Sequence, residues 1–291
     1  MLRSRALHAT RAMSQSSGLD PSMTSAARID PPVTSADRLD RPISALTGLE
    51  PPITAPDRLA DALRSDGRAV LSPAGLRACV AAEAAELQAL RDEWNDLPPD
   101  TYLRDGGRYR RRRHASYVID RGTVQRVPQR AHWQPLEYNA LHGGLERWFE
   151  PIDASIEMQA VWPRLLGAFA RLCSELHGEQ PWYVEAHQFR IDTTDGIGRP
   201  TPEGAHRDGV DLVAVLLIDR MGIKGGETRV FEADGPNGLR FTMLEPWTAL
   251  VLDDHRVIHE STPIQPLEAN GHRDTLVLTY RAGGFQGPAA G

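Results

Sequence analysis

The sequence lacks the features that mark secreted disulfide-rich, membrane-spanning or nucleic-acid-binding proteins. Its 291 residues include only two cysteines, which are too few for a disulfide scaffold or a zinc site built from cysteine pairs. The longest aliphatic run covers only residues 212–218, whereas a membrane-spanning helix needs about 20 apolar residues. With 33 basic and 39 acidic residues the net charge is −6, so the positive excess that attracts nucleic acids is missing. These absences predict a soluble, cytoplasmic protein with no nucleic-acid or membrane partner.

The first sixty residues form a repeat with little capacity for a core. The decapeptides LDPSMTSAAR, IDPPVTSADR, LDRPISALTG and LEPPITAPDR follow one another over residues 19–58. One or two large apolar side chains in each repeat bury too little surface to offset the entropy of ordering the chain. Proline is also excluded from helix interiors and central strands. We therefore predict that residues 1–60 are a disordered, Pro-rich tail, and a stacked solenoid is disfavoured because the repeats lack a regular strand pattern.

The role of the first residues of the chain is open. Residues 1–18 contain several arginines and serines and no acidic residue. This composition fits a transit peptide as well as an ordinary basic, disordered end. Met13 and Met23 are alternative start positions.

Residues 61–291 have the composition of one folded domain, helical over 61–180 and rich in strands over 181–282. In the helical part, Ser72 followed by proline is typical of a helix start. The apolar spacing that follows predicts one amphipathic helix ending before Pro98. A second helical region is predicted over 145–176, broken at its prolines.

The second half of the domain alternates short apolar runs with turn residues. Since no helical pattern separates the runs, they predict antiparallel strands and an α+β fold whose β part is a sandwich or barrel. The predicted strands are 182–191, 206–218, 227–232, 239–244, 248–253, 256–261 and 274–281.

Two motifs in the β-rich part carry candidate chemistry. His206 and Asp208 are two residues apart on a predicted strand, so their side chains face the same side. About fifty residues later the chain supplies His255 and His259, which spacing alone leaves as equivalent candidates. Two histidines and one carboxylate form the facial triad that holds Fe(II) and leaves sites for a 2-oxo acid and O2. A His-x-Asp pair is common by chance, and its distance from the later histidines and its strand context support the metal interpretation.

Several arginines and one further histidine are candidates for the same cavity. A 2-oxo dicarboxylate needs a guanidinium for its far carboxylate, and Arg273 and Arg281 flank the last predicted strand; a surface salt bridge is the alternative for each. His187 and Arg190, on a polar strand, are possible substrate contacts or supports of the iron ligands, or belong to a strand with satisfied polar groups.

The run of four arginines at 110–113 is the only basic cluster of the sequence. The acidic net charge disfavours nucleic-acid binding there, and a solvated loop or strand face is expected. A further option is that one of these arginines pairs with a substrate carboxylate.

The β-rich segments resemble the bacterial 2-oxoglutarate/Fe(II) dioxygenase family that includes the free L-isoleucine hydroxylases. The resemblance is strong over residues 182–282, and NALHGGLERWFEPI resembles the family more loosely. The segments that carry it are PEGAHRDGVDLVAVLLIDRMGIKGGETRVFE, TMLEPWTALVLDDHRVIHESTPIQP and GHRDTLVLTYRA.

This resemblance implies a double-stranded β-helix, or jelly roll, with helices on its outside. It implies that His206, Asp208 and His259 ligate the iron and that Arg273 binds the far carboxylate of 2-oxoglutarate, with Arg281 as the fallback. The resemblance, and not the spacing, favours His259. In related iron halogenases a small residue replaces the carboxylate, so Asp208 implies hydroxylation.

The sequence thus predicts an Fe(II)- and 2-oxoglutarate-dependent dioxygenase that uses O2, hydroxylates a C–H bond and releases succinate and CO2. The resemblance implies a small-molecule substrate, a free amino acid. One alternative is a jelly-roll metal-dependent oxygenase or isomerase that does not use 2-oxoglutarate. Another is a non-catalytic binding protein that acts through its repeat tail. The sequence does not indicate an oligomeric state.

Overall fold

A computed structural model of the chain describes residues 50–139, 141 and 143–288. The predicted tail therefore lies outside the described residues up to residue 49. Residues 50–60 belong to the folded part, since Ile53 forms a β-bridge with Val70 and a 3-10 turn at Pro56–Arg58 leads into the first helix. No helix among the described residues is both long and apolar enough to cross a membrane.

The elements of the described chain are short helices followed by a long series of strands. The helices are α1 (Leu59–Asp66), α2 (Pro73–Val80), α3 (Ala84–Gln88), α4 (Ala154–Glu157) and α5 (Val161–His177), with a further 3-10 turn at Arg91–Trp94. The strands are β1 (Arg68–Leu71), β2 (Arg110–Asp120), β3 (Thr123–Arg126), β4 (Trp182–Asp192), β5 (Leu212–Met221), β6 (Ile223–Gly225), β7 (Thr228–Glu232), β8 (Gly238–Phe241), β9 (Ala249–Asp253), β10 (Val257–Ser261), β11 (Ile264–Pro266) and β12 (His272–Ala282).

These strands form one large and two small antiparallel sheets. The large sheet has seven strands in the order β1-β9-β5-β12-β4-β2-β3, the second has the order β10-β7-β8, and β11 pairs with β6. A cavity is lined by side chains from the large sheet and from β10. This arrangement confirms the predicted α+β class and the antiparallel, jelly-roll type of core.

The helices of the first half are shorter than the sequence predicts. The single helix expected after Ser72 ends at Val80, because Ala81 adopts a left-handed conformation with φ 53°. Of the region 145–176, only α4 and α5 are helical. Pro163 does not interrupt α5, since it occupies the first turn, where its missing N–H group has no helical acceptor.

Three strands lie in the segment predicted to be helical. The longest, β2, pairs along nearly its whole length with β4. It was missed because the run of four arginines was interpreted as a solvated surface. Alternate members of this run, Arg110 and Arg112, are instead buried on the cavity side of the sheet.

The central strand β12 separates the apolar core from the cavity. Leu276, Leu278 and Tyr280 pack in the core that α5 contributes to, and the hydroxyl of Tyr280 donates a hydrogen bond to Leu166 O at 2.9 Å. The alternate side chains face the cavity: Arg273, Thr275, Val277 and Thr279. The two-residue period of one strand thus places apolar packing and site chemistry on opposite faces.

Shortening one buried side chain of β12 should lower the stability of the domain. Leu278 is fully buried, so we expect Leu278→Ala to lower the free energy of unfolding by about 2–5 kcal/mol, because a cavity replaces packed atoms. Leu267 is 64% exposed, and Leu267→Ala should change it by about 0.5 kcal/mol or less. Urea denaturation measures both, and equal losses would contradict the assigned core.

Candidate active site

Three potential iron ligands lie together on the cavity wall. The ligand atoms of His206, Asp208 and His259 are all within 4.8 Å of one another. Nε2 of His206 lies 3.9 Å from Oδ1 of Asp208, and Nε2 of His259 lies 3.8 Å from its Oδ2. Two imidazoles and a carboxylate are the donor set of mononuclear Fe(II) sites. The residues therefore fit the metal that the sequence predicts.

Backbone pairing holds the two histidines side by side. His206 N donates to His259 O at 3.0 Å, and His259 N donates to His206 O at 2.9 Å. Their ring centroids are 4.6 Å apart. His259 belongs to β10, whereas His206 precedes β5 of the large sheet, so this bridge joins the two sheets at the candidate metal site.

The carboxylate of Asp254 shapes the loop that carries Asp208. It accepts the backbone N–H groups of Asp208, Gly209 and Val210 at 3.0, 2.7 and 3.1 Å. Gly209 has φ +75°, and a Cβ there would lie 2.4 Å from the Tyr138 ring, so glycine is required. Burial, and then the charge of Asp208, raises the pKa of Asp254 to about 6.

Neighbouring groups orient the ligand atoms. Nδ1 of His206 lies 3.0 Å from Gly204 O, and a hydrogen on Nδ1 leaves the Nε2 lone pair free to bind a metal. Gln134 donates from Nε2 to Oδ1 of Asp208 at 3.1 Å. Burial, followed by the charge of His206, lowers the pKa of His259 well below its usual range, so this imidazole is in its neutral, ligating form.

The structure separates His255 from His259. The His255 side chain is 64% exposed, and its Nε2 lies 3.2 Å from Oδ1 of Asp211. It lies in the turn after β9, outside the group formed with Asp208. His255 is therefore not brought to the candidate iron site.

Arg273 lines the same cavity and is 4% exposed. Its Nε and Nη2 atoms have no hydrogen-bond partner among the described residues. Burial, followed by the charge of Arg220, lowers the pKa of Arg273 to about 10. The fallback residue Arg281 does not line this cavity, and its Nη1 donates to Gly284 O at 2.6 Å.

The two candidates on β4 point in opposite directions. His187 is buried and lines the cavity. Arg190 instead donates from Nε and Nη2 to the two carboxylate oxygens of Asp274, at 2.8 and 2.6 Å. Of these two possible cavity residues, Arg190 therefore faces away, because an odd spacing along a strand places side chains on opposite faces.

A second polar group on the cavity wall was not predicted. The carboxylate of Glu185 lies 2.9 Å from Nδ1 of His132 and 3.4 Å from Nε2 of His114, and it accepts a hydrogen bond from Arg130 at 2.8 Å. His114 and His187 stack at 4.7 Å. Burial, followed by the charge of neighbouring residues, lowers the pKa of His187, so a largely neutral imidazole group lines this wall. The sequence signal for this group is the two-residue alternation of side chains along β2 and β4.

Comparison with known proteins decides the class of the protein. Residues 91–279 match the family model of the 2OG-Fe dioxygenases, which covers more than half of the chain. The chain belongs to the 2OG-Fe dioxygenase family. It is therefore an oxygenase that uses Fe(II), 2-oxoglutarate and O2, as predicted. A jelly-roll enzyme independent of 2-oxoglutarate and a non-catalytic protein are both disfavoured.

Solved structures that are similar to this 2OG-Fe dioxygenase agree on the fold. A bsmA homolog from Methylobium petroleophilum is 51% identical, with a TM-score of 0.78 over 81% of this chain and 97% of that chain. IDO from Bacillus thuringiensis is 16% identical, with a TM-score of 0.64 over 80% and 100% of the two chains. The Fe(II)/α-ketoglutarate-dependent dioxygenase TqaL is 19% identical, with a TM-score of 0.60 over 78% and 86%. The latter two show the fold alone.

A search of the curated proteins gives no match. The matches to the family and to solved structures do not assign a substrate to the dioxygenase. The resemblance to the free L-isoleucine hydroxylases therefore stays a prediction.

Removing a triad histidine should abolish iron binding. We expect His206→Ala and His259→Ala to lose stoichiometric Fe(II), because one histidine and Asp208 alone hold the ion too weakly. Metal analysis after anaerobic desalting measures the retained iron. His255→Ala is the matched control and should retain it. Retention by both histidine variants, or loss only by His255→Ala, would contradict the assignment.

The buried histidines should make the fold sensitive to acid. Burial lowers the pKa of His132 from 6.5 to about 3, so between these values the unfolded chain binds more protons and stability falls as the pH is lowered. The stability from His132 is therefore complete above pH 6.5. We expect His132→Asn to reduce the slope of unfolding free energy against pH by about 1.4 kcal/mol per unit. Urea melts between about pH 4.5 and 7 measure it.

The control for this pH series is His177→Asn, because His177 is exposed. Its slope should equal that of the original protein. An unchanged slope in His132→Asn would show that His132 is protonated in the folded state.

Proposed function

We propose that this dioxygenase hydroxylates a C–H bond of a free amino acid, with release of succinate and CO2. In this proposal His206, Asp208 and His259 hold Fe(II), and Arg273 binds the far carboxylate of 2-oxoglutarate. The observation that carries the proposal is that Nε and Nη2 of Arg273 have no hydrogen-bond partner among the described residues, in the cavity that also contains the three candidate ligands. A dicarboxylate supplies the acceptors that this buried cation lacks.

The chemistry divides between the iron and the protein. Fe(II), when bound, supplies activation of O2 coupled to oxidation of 2-oxoglutarate. The protein's part is to orient the ligands, hold the co-substrate and exclude water. Gln134 keeps the Asp208 carboxylate in place through the 3.1 Å hydrogen bond. The apolar side chains of Val215 and Val277 on the cavity wall limit access of water.

The polarity of the cavity supports a small, charged substrate. Glu203 lines the cavity beside His206, and its buried Oε2 has no hydrogen-bond partner among the described residues. An ammonium group would supply the missing donor. The resemblance to the free L-isoleucine hydroxylases supports the same substrate class.

The test is a panel of free amino acids added to protein reconstituted with Fe(II), ascorbate and 2-oxoglutarate. We expect at least one amino acid to increase succinate release and to gain one oxygen atom, detected by mass spectrometry. We also expect Arg273→Met to raise the KM for 2-oxoglutarate by about 100-fold, because it removes a buried charged partner of the carboxylate.

Arg281→Met provides the matched control, since Arg281 does not line the cavity. It should leave the KM for 2-oxoglutarate unchanged. Succinate release that no amino acid stimulates would overturn the substrate class. A larger effect of Arg281→Met than of Arg273→Met would overturn the assignment of the co-substrate residue.

A further inference from the structure

The cavity holds a second group of buried positive charge, apart from Arg273. Arg110, Arg112 and Arg147 all line it and are between 2% and 6% exposed. One carboxylate serves two of them: Oδ2 of Asp100 lies 2.7 Å from Nε of Arg110 and 3.8 Å from Nη1 of Arg112. Arg147 has its polar contact with the amide of Gln134 instead. The carboxylates of Glu185 and Glu203 also lie near these arginines on the cavity wall.

Each of these guanidinium groups also has a buried nitrogen without an acceptor. The unpartnered atoms are Nη2 of Arg110, Nε of Arg112 and Nε of Arg147. The nearby carboxylate of Glu185 is already engaged by Arg130 and His132. Buried charged donors without acceptors are destabilising. A bound anion would satisfy them; among the described residues, Glu203 also lines the cavity with a buried carboxylate oxygen that has no hydrogen-bond partner.

Arg112 is held rigidly in place for such an anion. Its guanidinium carbon lies 3.7 Å from the ring centroid of Phe149 and 4.4 Å from that of Phe189. Its Nη2 lies 2.7 Å from Nδ1 of His187, to which it donates. Two aromatic contacts and one hydrogen bond fix the planar group before any ligand arrives, which lowers the entropy cost of binding.

Arg147 is connected to the candidate iron site through one side chain. Its Nη2 donates to Oε1 of Gln134 at 2.8 Å, and Nε2 of Gln134 donates to Oδ1 of Asp208 at 3.1 Å. An anion on Arg147 would therefore lie one amide away from an iron ligand. A small substrate anchored at Arg147 would therefore lie near the candidate iron site, where its C–H bond must face the metal.

The register of the sheet places Arg112 and Arg273 two strands apart. Arg112 is paired with Phe189 on β4, and Phe189 is paired with Thr275 on β12. Arg273 lies two residues before Thr275. With strands about 4.8 Å apart and a rise of about 3.3 Å per residue, the backbones of Arg112 and Arg273 are about 12 Å apart.

We propose that Arg112 and Arg147 bind the carboxylate of the substrate. This inference rests on the proposed function and deepens it, since it assigns residues that select an amino acid with a free carboxylate. Arg273 then holds the co-substrate, and Gln134 joins the substrate carboxylate to the iron ligand Asp208. Esters and amides of the same amino acid lack the anion and are rejected.

The test compares KM values for the best amino acid of the panel and for 2-oxoglutarate. In Arg147→Met the KM for the amino acid should rise by about 100-fold, as expected for loss of a buried charged partner. Arg147→Lys, which keeps the charge without the planar fork, should show a smaller rise. The original protein should use the methyl ester of the amino acid about 100-fold less well than the free acid.

The control is Arg229→Met, because Arg229 lies on β7, is partly exposed and does not line the cavity. It should leave both KM values unchanged. Three results would overturn the subsite: equal use of acid and ester, an unchanged KM for the amino acid in Arg147→Met, or a rise confined to 2-oxoglutarate. Absence of succinate from the original protein would instead contradict the proposed function itself, and succinate that no amino acid increases would overturn the subsite together with the substrate class.

Discussion

The backbone pairing of His206 with His259 is the interaction on which the candidate site depends. These two hydrogen bonds join the segment before β5 of the large sheet to β10 of the smaller one. They bring together two candidate ligands that are 53 residues apart in sequence. The carboxylate of Asp254 then fixes the loop that carries Asp208 through three backbone hydrogen bonds. The relative positions of the three candidate ligands are therefore set by backbone hydrogen bonds.

The alternation of side chains along the strands also decides which residues line the rest of the cavity. Arg112, His187 and Val277 face inward from three neighbouring strands, whereas Leu276 and Leu278 face the apolar core. Apolar packing outside the sheet thus stabilises a wall whose inner face is free to carry charge. The buried arginines on that wall are destabilising without ligands. In the proposed function, these arginines and Arg273 bind two anions, the substrate carboxylate and 2-oxoglutarate.

The β-rich half was predictable because its apolar runs alternate with clear turn residues. His206 and Asp208 were predicted to share a face of a strand, but β5 begins only at Leu212 and Asp208 lies in a loop held by Asp254. Alternation along β4 shows that His187 and Arg190 face opposite sides, without showing which of them faces the cavity. Strand β2 was not predicted, since its inward residues are charged and local patterning treats charge as surface. The contact of Gln134 with Asp208 spans 74 residues, and no local pattern encodes it. Choosing His259 over His255 required the family resemblance.

The most direct test of this account is an anaerobic calorimetric titration of 2-oxoglutarate into the protein, with and without Fe(II). The account predicts one equivalent bound tightly when iron is present and much weaker binding without it, since Arg273 then acts alone. Equal affinity in both states, or no binding in either, would contradict a shared site formed by the triad and Arg273.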